Sequence, residues 1–244
     1  MKAKKLILLG FVTLLAVALS VSSCNFAALP PEQPQSAQPT EAVETPAAET
    51  PAEGAEALDE ESLAKFNSRF DPLVTVDGES RINPLCCFLT SLYDSVEELD
   101  LRAFLHNFPI EAEGSVEEFE ALRSSPDWPF ADFTSVTDMP VPLHEYPAEA
   151  VEQVLTRYSD LSLQQLRDRE GGFGRGVHYL EAYDAFYNYT SDFALEAFEA
   201  FRGERQCDSV RLYQNYWDGS QRVLCLEMQG EDFKIVSYNT VEAQ

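Results

Sequence analysis

Hydrophobic and polar positions change rhythm three times along the chain. Residues 6–21, LILLGFVTLLAVALSV, form an uncharged apolar run. Between Asn25 and about Glu56 large apolar side chains nearly vanish after Phe26, leaving Pro, Ala, Glu, Gln and Thr. From Leu58 onward apolar residues return at helical spacing. LDEESLAKFNSRF (58–70) predicts a first helix with acids in its first turn. Ser95–Glu98, Ser115–Glu118 and Ser162–Gln165 each match the capping box that opens a helix. SVEELDLRAFLHNF places Leu99, Ala103 and Phe104 at helical spacing. YPAEAVEQVLTRY puts Pro147 at a first helical position and aligns Val151, Val154, Leu155 and Tyr158 on one face. An extended segment is expected around DFTSVTDMPVPL.

After EGGFGRG (170–176) the texture shifts to short stretches rich in β-branched and aromatic residues: VHYLEAYDAFYNY, EAFEAFRG, SVRLYQNYW, RVLCLEM and FKIVSYNTV. Asp218–Gly219 and Gly230–Glu231–Asp232 read as hairpin turns between the last three. Helices first and strands later predict an α+β domain, with N-terminal helices packed on a C-terminal antiparallel meander. By analogy this order resembles the cone-shaped helix-plus-curved-sheet fold of the nuclear-transport-factor-2 type.

The chain thus divides into a signal peptide (1–23), a disordered linker (24–57) and a single α+β domain (58–244). MKAKK is a positive leader, the apolar run follows, and Ser22 and Ser23 supply a small-residue exit. VSSC resembles the bacterial lipobox, which implies that the Cys24 thiol takes a diacylglyceryl group before cleavage just ahead of it. Two or more acyl chains, at about 0.8 kcal/mol per buried CH₂, hold a protein firmly on a bilayer. The competing readings are conventional cleavage near Ala27–Ala28 and an uncleaved anchor, for which the run is short of the ~20 residues a span needs. The linker cannot bury enough surface to offset its ordering entropy, and at about 3.1 Å per residue it reaches on the order of 100 Å. The stretches NPLCCFLTSLYDSVEELDLRAFLHNFP, MPVPLHEYPAEAVEQVL and YLEAYDAFYNYTSDF resemble a diffuse group of exported bacterial lipoproteins. That resemblance implies a lipid-anchored protein on the extracytoplasmic face of the cell membrane and attaches no activity.

Charge narrows the partners. The chain carries 17 Lys+Arg against 42 Asp+Glu, a net charge of −25. Nine acids and no base lie between residues 25 and 62, leaving 33 acids against 14 bases from residue 63 onward. Phosphate recognition needs a basic surface, so nucleic acid is excluded as a partner, as is peripheral binding to an anionic membrane surface. What remains is the membrane through the N-terminal lipid, an envelope ligand or a partner protein. High net charge also serves solubility alone.

Candidate chemistry is sparse. His106, His144 and His178 lie far apart in sequence, and HEYPA has Ala148 where a zincin helix needs its second His; no metal site and no cofactor are expected. GGFGRG lacks the Lys-Ser/Thr of a phosphate loop and reads as a flexible turn. Cys86, Cys87, Cys207 and Cys225 either form one bridge across the fold or stay free and buried, and adjacent Cys86 and Cys87 are too strained to pair with each other.

One stretch attracts notice: YDAFYNYTSDF (183–193). As a single strand it sets Tyr183, Tyr187 and Tyr189 on one face with Tyr179, and it holds Asp184 and Asp192 nearby. Such a face either packs under a neighbouring element or forms a shallow cleft. In the cleft, Tyr183, Tyr187 and Tyr189 would stack on a sugar ring or peptide while Asp184 or Asp192 hydrogen-bonds it. The expected function is a non-enzymatic ligand- or partner-binding module. The alternative is a carboxylate-based hydrolase acting on envelope polysaccharide or peptide, with catalytic residues unassigned.

Overall fold

Asp59 opens the first helix. Its carboxylate accepts from the Ser62 amide at 2.8 Å, and Glu60 and Glu61 fill the first turn of α1 (Glu60–Arg69), where unpaired amides favour negative charge. The computed structural model describes residues 54–109, 112–125, 127–189 and 197–241. The leader, Cys24 and all but the last residues of the linker lie outside them. β1 (Glu56–Ala57) already pairs with the main sheet, so the folded domain begins by Glu56, two residues before the expected start.

α1 is fixed to the sheet by both ends of one amide. The Asn67 side chain donates to the Ala200 carbonyl at 3.0 Å and accepts from the Ala200 amide at 2.9 Å. Phe70 then packs 5.2 Å from Phe198 and 5.6 Å from Phe233. Next comes a hairpin, β2 (Leu73–Val76) and β3 (Glu79–Ile82), turned by Asp77 and Gly78 with φ of 53° and 83°. Those values suit an Asp-Gly turn.

A 3₁₀ segment, Pro84–Leu89, follows. Its cap, Asn83, donates to the Arg69 and Asp71 carbonyls, both at 2.8 Å, and accepts from Leu85. The expected Ser95–Glu98 box yields only a 3₁₀ turn, Val96–Glu98, and Asp100 instead caps α2 (Leu101–His106), so Leu99 precedes the helix. The Ser115 box forms as predicted on α3 (Val116–Arg123), and the Ser162 box on α5 (Leu163–Asp168). α4 (Ala148–Tyr158) buries Val151 and Leu155, with Pro147 at its cap.

Two antiparallel sheets complete the α+β domain. The larger has the order β1-β8-β9-β10-β11, built from β8 (Ala200–Gln206), β9 (Ser209–Asn215), β10 (Gln221–Gln229) and β11 (Asp232–Thr240). The turns after β9 and β10 carry Gly219 and Gly230 at positive φ, where the hairpin signals place them. The smaller sheet has the order β4-β5-β7-β6, from β4 (Ala112–Glu113), β5 (His144–Pro147), β6 (His178–Leu180) and β7 (Ala185–Asn188). Two of its strands come from the part of the chain expected to be helical or merely extended. A large apolar cluster joins the helices to the main sheet; a smaller one, centred on Phe119, Leu122, Trp128 and Tyr187, lies under the second sheet. Among the described residues no helix is long and apolar enough to cross a membrane.

Candidate functional site

The tyrosine-rich stretch is not one strand. Residues 181–184 form a turn that folds β7 back on β6, pairing His178 with Tyr187 and Tyr179 with Phe186. Asp184 sits in that turn at φ +50°, and its carboxylate accepts from the Tyr179 hydroxyl at 2.6 Å. The hairpin separates the four candidates. Tyr183 is exposed on the turn, Asp184 is exposed beside it, Tyr187 is 2% exposed, and Tyr189 packs edge-on against Trp128 and Phe130. The single tyrosine face expected from the alternation is therefore corrected to a core-facing pair and a turn. Asp192 falls outside the described residues.

Tyr187 has a structural partner. Its hydroxyl donates to Glu118 Oε1 at 2.6 Å, while Glu118 Oε2 accepts from the Ser115 amide at 2.6 Å in the α3 capping box. Burial pushes the Glu118 carboxyl up, but the bonds from Ser115 and Tyr187 outweigh it and hold the group below the ordinary glutamate range. Across β5, Glu145 is raised by burial first and by the Glu118 charge second. Two coupled carboxylates with opposite shifts are what acid–base chemistry requires. Here one of them is consumed as a helix cap and a core hydrogen-bond acceptor.

An open site lies elsewhere. A cavity of about 260 Å³ is enclosed by the 3₁₀ segment, the end of α2, residues 197–198, and strands β9 and β11. Its polar groups are Thr90, His106, Asn107 and Gln214, and its rings are Phe198, Tyr216 and Tyr238. No Asp or Glu stands among the described residues that line it. Tyr238 donates to Gln214 Oε1 at 3.3 Å and accepts from Arg222 at 3.3 Å; Gln214 in turn donates to the Ala197 carbonyl at 3.2 Å. The backbone of Tyr238 is held by a bridge to Tyr93.

Asn107 stands out within this wall. It terminates α2, is 8% exposed, and its side-chain oxygen has no hydrogen-bond partner among the described residues. An acceptor left unpaired in a buried position costs about 1–3 kcal/mol. Outside the lining, the Arg222 guanidinium covers the Tyr216 ring. Next along the chain, Trp217 is 80% exposed with its ring centre 5.7 Å from that of the cavity residue Tyr216.

The two buried cysteines, Cys86 and Cys87, offer no nucleophile, while Cys207 is exposed. All four described thiols are free. Burial pushes Cys86, on the cavity wall, up to about 11, so the thiolate that would attack a substrate is not populated. Cys87 is raised further by burial and donates its thiol proton to the Asn107 carbonyl. Among the described residues no three His, Cys, Asp or Glu side chains converge as a metal site. In the glycine turn, Gly171, Gly172, Gly174 and Gly176 all have positive φ and lead into β6. They shape a connection and are not the start of a phosphate-binding helix.

The cavity residues carry no sequence motif. They come from five separated segments, and the one local signal is the pairing of aromatic and amide residues in LYQNYW. No family model matches the chain, and comparison with curated proteins and with solved structures finds no match.

Proposed function

We propose that the protein is a lipoprotein held on the extracytoplasmic face of the cell membrane through Cys24, whose domain is a non-enzymatic binding module. The positive leader, the apolar run and VSSC support the anchor. The cavity supports the binding role. Its ligand is a small neutral ring compound bearing hydroxyl or amide groups, about the size of a single sugar. The volume, about 260 Å³, lies just below the usual range for ligand pockets of roughly 300–1,000 Å³. The aromatic walls suit a ring face, and no Asp or Glu stands among the described residues that line them.

The observation that carries this reading is the cavity lining of rings and amides, with Phe198, Tyr216 and Tyr238 beside Asn107 and Gln214. The test is titration of the full chain with N-acetylglucosamine, followed by the fluorescence of exposed Trp217. Saturable quenching that is lost in Gln214→Ala supports the cavity; identical titrations of the two proteins refute it. The anchor is tested separately, since Cys24→Ser is expected to move the protein from the membrane to the soluble fraction.

A finer fold proposal rests on packing. α1 covers one face of the meander through Phe66 and Phe70 against Phe233 and Phe198, as in a helix-on-sheet cone of the nuclear-transport-factor-2 type. A register shift between Cys225 and Leu226 in β10 supplies a point of curvature.

A further inference from the structure

Basic side chains are scarce in this domain, yet three of them surround one hollow. From residue 63 onward there are 14 bases against 33 acids. Lys65 and Arg69 of α1 and Arg205 of β8 border a hollow of about 250 Å³, together with Phe66, Met228 and a single acid, Glu231. Lys65 and Arg69 stand one helical turn apart and so share a face; Arg205 reaches the same space from the sheet. Like charges gathered in this way repel one another, and of the three only Arg69 has an ion pair among the described residues. Arg69 meets Asp232 at 3.5 Å, but the Asp232 side chain is 86% exposed, where such a pair contributes little. Its guanidinium also lies 4.8 Å over the Phe233 ring. Lys65 and Arg205 have no ion-pair partner among the described residues.

Phe66 and Met228 add what a bare anion site does not need. Both are half-buried apolar side chains packed on the main core, so they give the hollow a greasy surface beneath its cationic rim. We propose that this hollow binds a small amphiphilic anion: a phosphate or carboxylate head held by Lys65, Arg69 and Arg205, with an alkyl or aryl body resting on Phe66 and Met228. Arginine and lysine both complement such heads, arginine through a two-pronged hydrogen-bond geometry. Each methylene buried adds about 0.8 kcal/mol, so the chain contributes to affinity alongside the charge. The acidic remainder of the domain repels anions at long range. Binding is therefore confined to ligands that make both contacts. This site is independent of the Asn107 cavity, and either reading stands if the other fails.

The test uses the full chain with octyl phosphate, octanoate and inorganic phosphate as probes, read by calorimetry and by the Met228 methyl resonance. Saturable binding of octyl phosphate or octanoate is expected, at least tenfold tighter than inorganic phosphate. The double variant Lys65→Gln, Arg205→Gln is expected to weaken it at least tenfold without moving the thermal midpoint, since both side chains are exposed. If the two amphiphiles bind equally, the head-group charge suffices for recognition; if only octyl phosphate binds, the site takes phosphate specifically. No saturable binding of either amphiphile overturns the proposal. So does binding that the double variant leaves unchanged, or inorganic phosphate binding as tightly as the amphiphiles.

Discussion

Tyr187 and Tyr238 are buried to nearly the same degree, 2% and 1% exposed, and each hydroxyl is hydrogen-bonded, but their surroundings differ. Tyr187 donates to a carboxylate at 2.6 Å that is itself locked into a helix cap. Both carboxylate oxygens of that partner are used. Tyr238 meets the neutral amide of Gln214 and the guanidinium of Arg222 at 3.3 Å each, beside a cavity lined by the amides of Asn107 and Gln214. Density of aromatic residues therefore marks core in this protein. An open hollow lined by rings and amides, with no Asp or Glu among its described residues, marks the candidate site.

The comparison can be broken at its first member. Tyr187→Ala removes a buried ring and strips Glu118 of a partner, and is expected to cost about 3–5 kcal/mol in chemical denaturation. Tyr187→Phe keeps the ring and loses only the bond to a charged acceptor, an expected cost of about 1.5–3 kcal/mol. That variant also has a pH signature. The Glu118 carboxyl lies below the ordinary value of 4.5 in the folded state, so its contribution is complete above that value and is lost as pH falls through the lower, folded one. Tyr187→Phe should flatten the stability curve in this acid window. Glu145, raised by burial and by Glu118, has the opposite sign: its burden grows as pH rises through its folded value. Glu145→Gln should thus stabilise the domain at neutral pH, by less than about 1 kcal/mol.

At the second member the effects on stability are smaller. Tyr238→Phe gives up hydrogen bonds to Gln214 and Arg222, and an expected loss of about 0.5–1.5 kcal/mol by thermal melting reflects their length. Tyr183→Ala, at an exposed turn position, should lie within about 0.5 kcal/mol of wild type. A large loss there would place Tyr183 in the core and undo the distinction between turn and buried face.

Much of this architecture can be read from local signals, and the physical reasons for the exceptions are specific. Asp218–Gly219 and Gly230–Glu231 mark their turns because glycine there takes positive φ. Ser115 and Ser162 mark their helices because each box is completed by an acceptor three residues on. The second sheet is hidden: β4 is two residues long and β5 is four, ending at Pro147, too short for an alternation to register. The hairpin at 181–184 contains neither glycine nor proline, and Asp184 takes the left-handed conformation instead. The alternation therefore runs through the turn and suggests one continuous strand. The cavity is illegible for another reason. Asn107, Gln214 and Tyr238 meet only after the meander closes on α2, and an unpaired amide oxygen is a property of the packed state, with no counterpart in the string of residues.

The most direct measurement is the N-acetylglucosamine titration of the full chain beside its Asn107→Leu variant, with circular dichroism confirming that both are folded. Saturable quenching of Trp217 in the wild type, weakened at least tenfold in Asn107→Leu, is the predicted result. Equal quenching in both proteins, or none in the wild type up to about 50 mM, where binding would be weaker than roughly 2 kcal/mol, would contradict it.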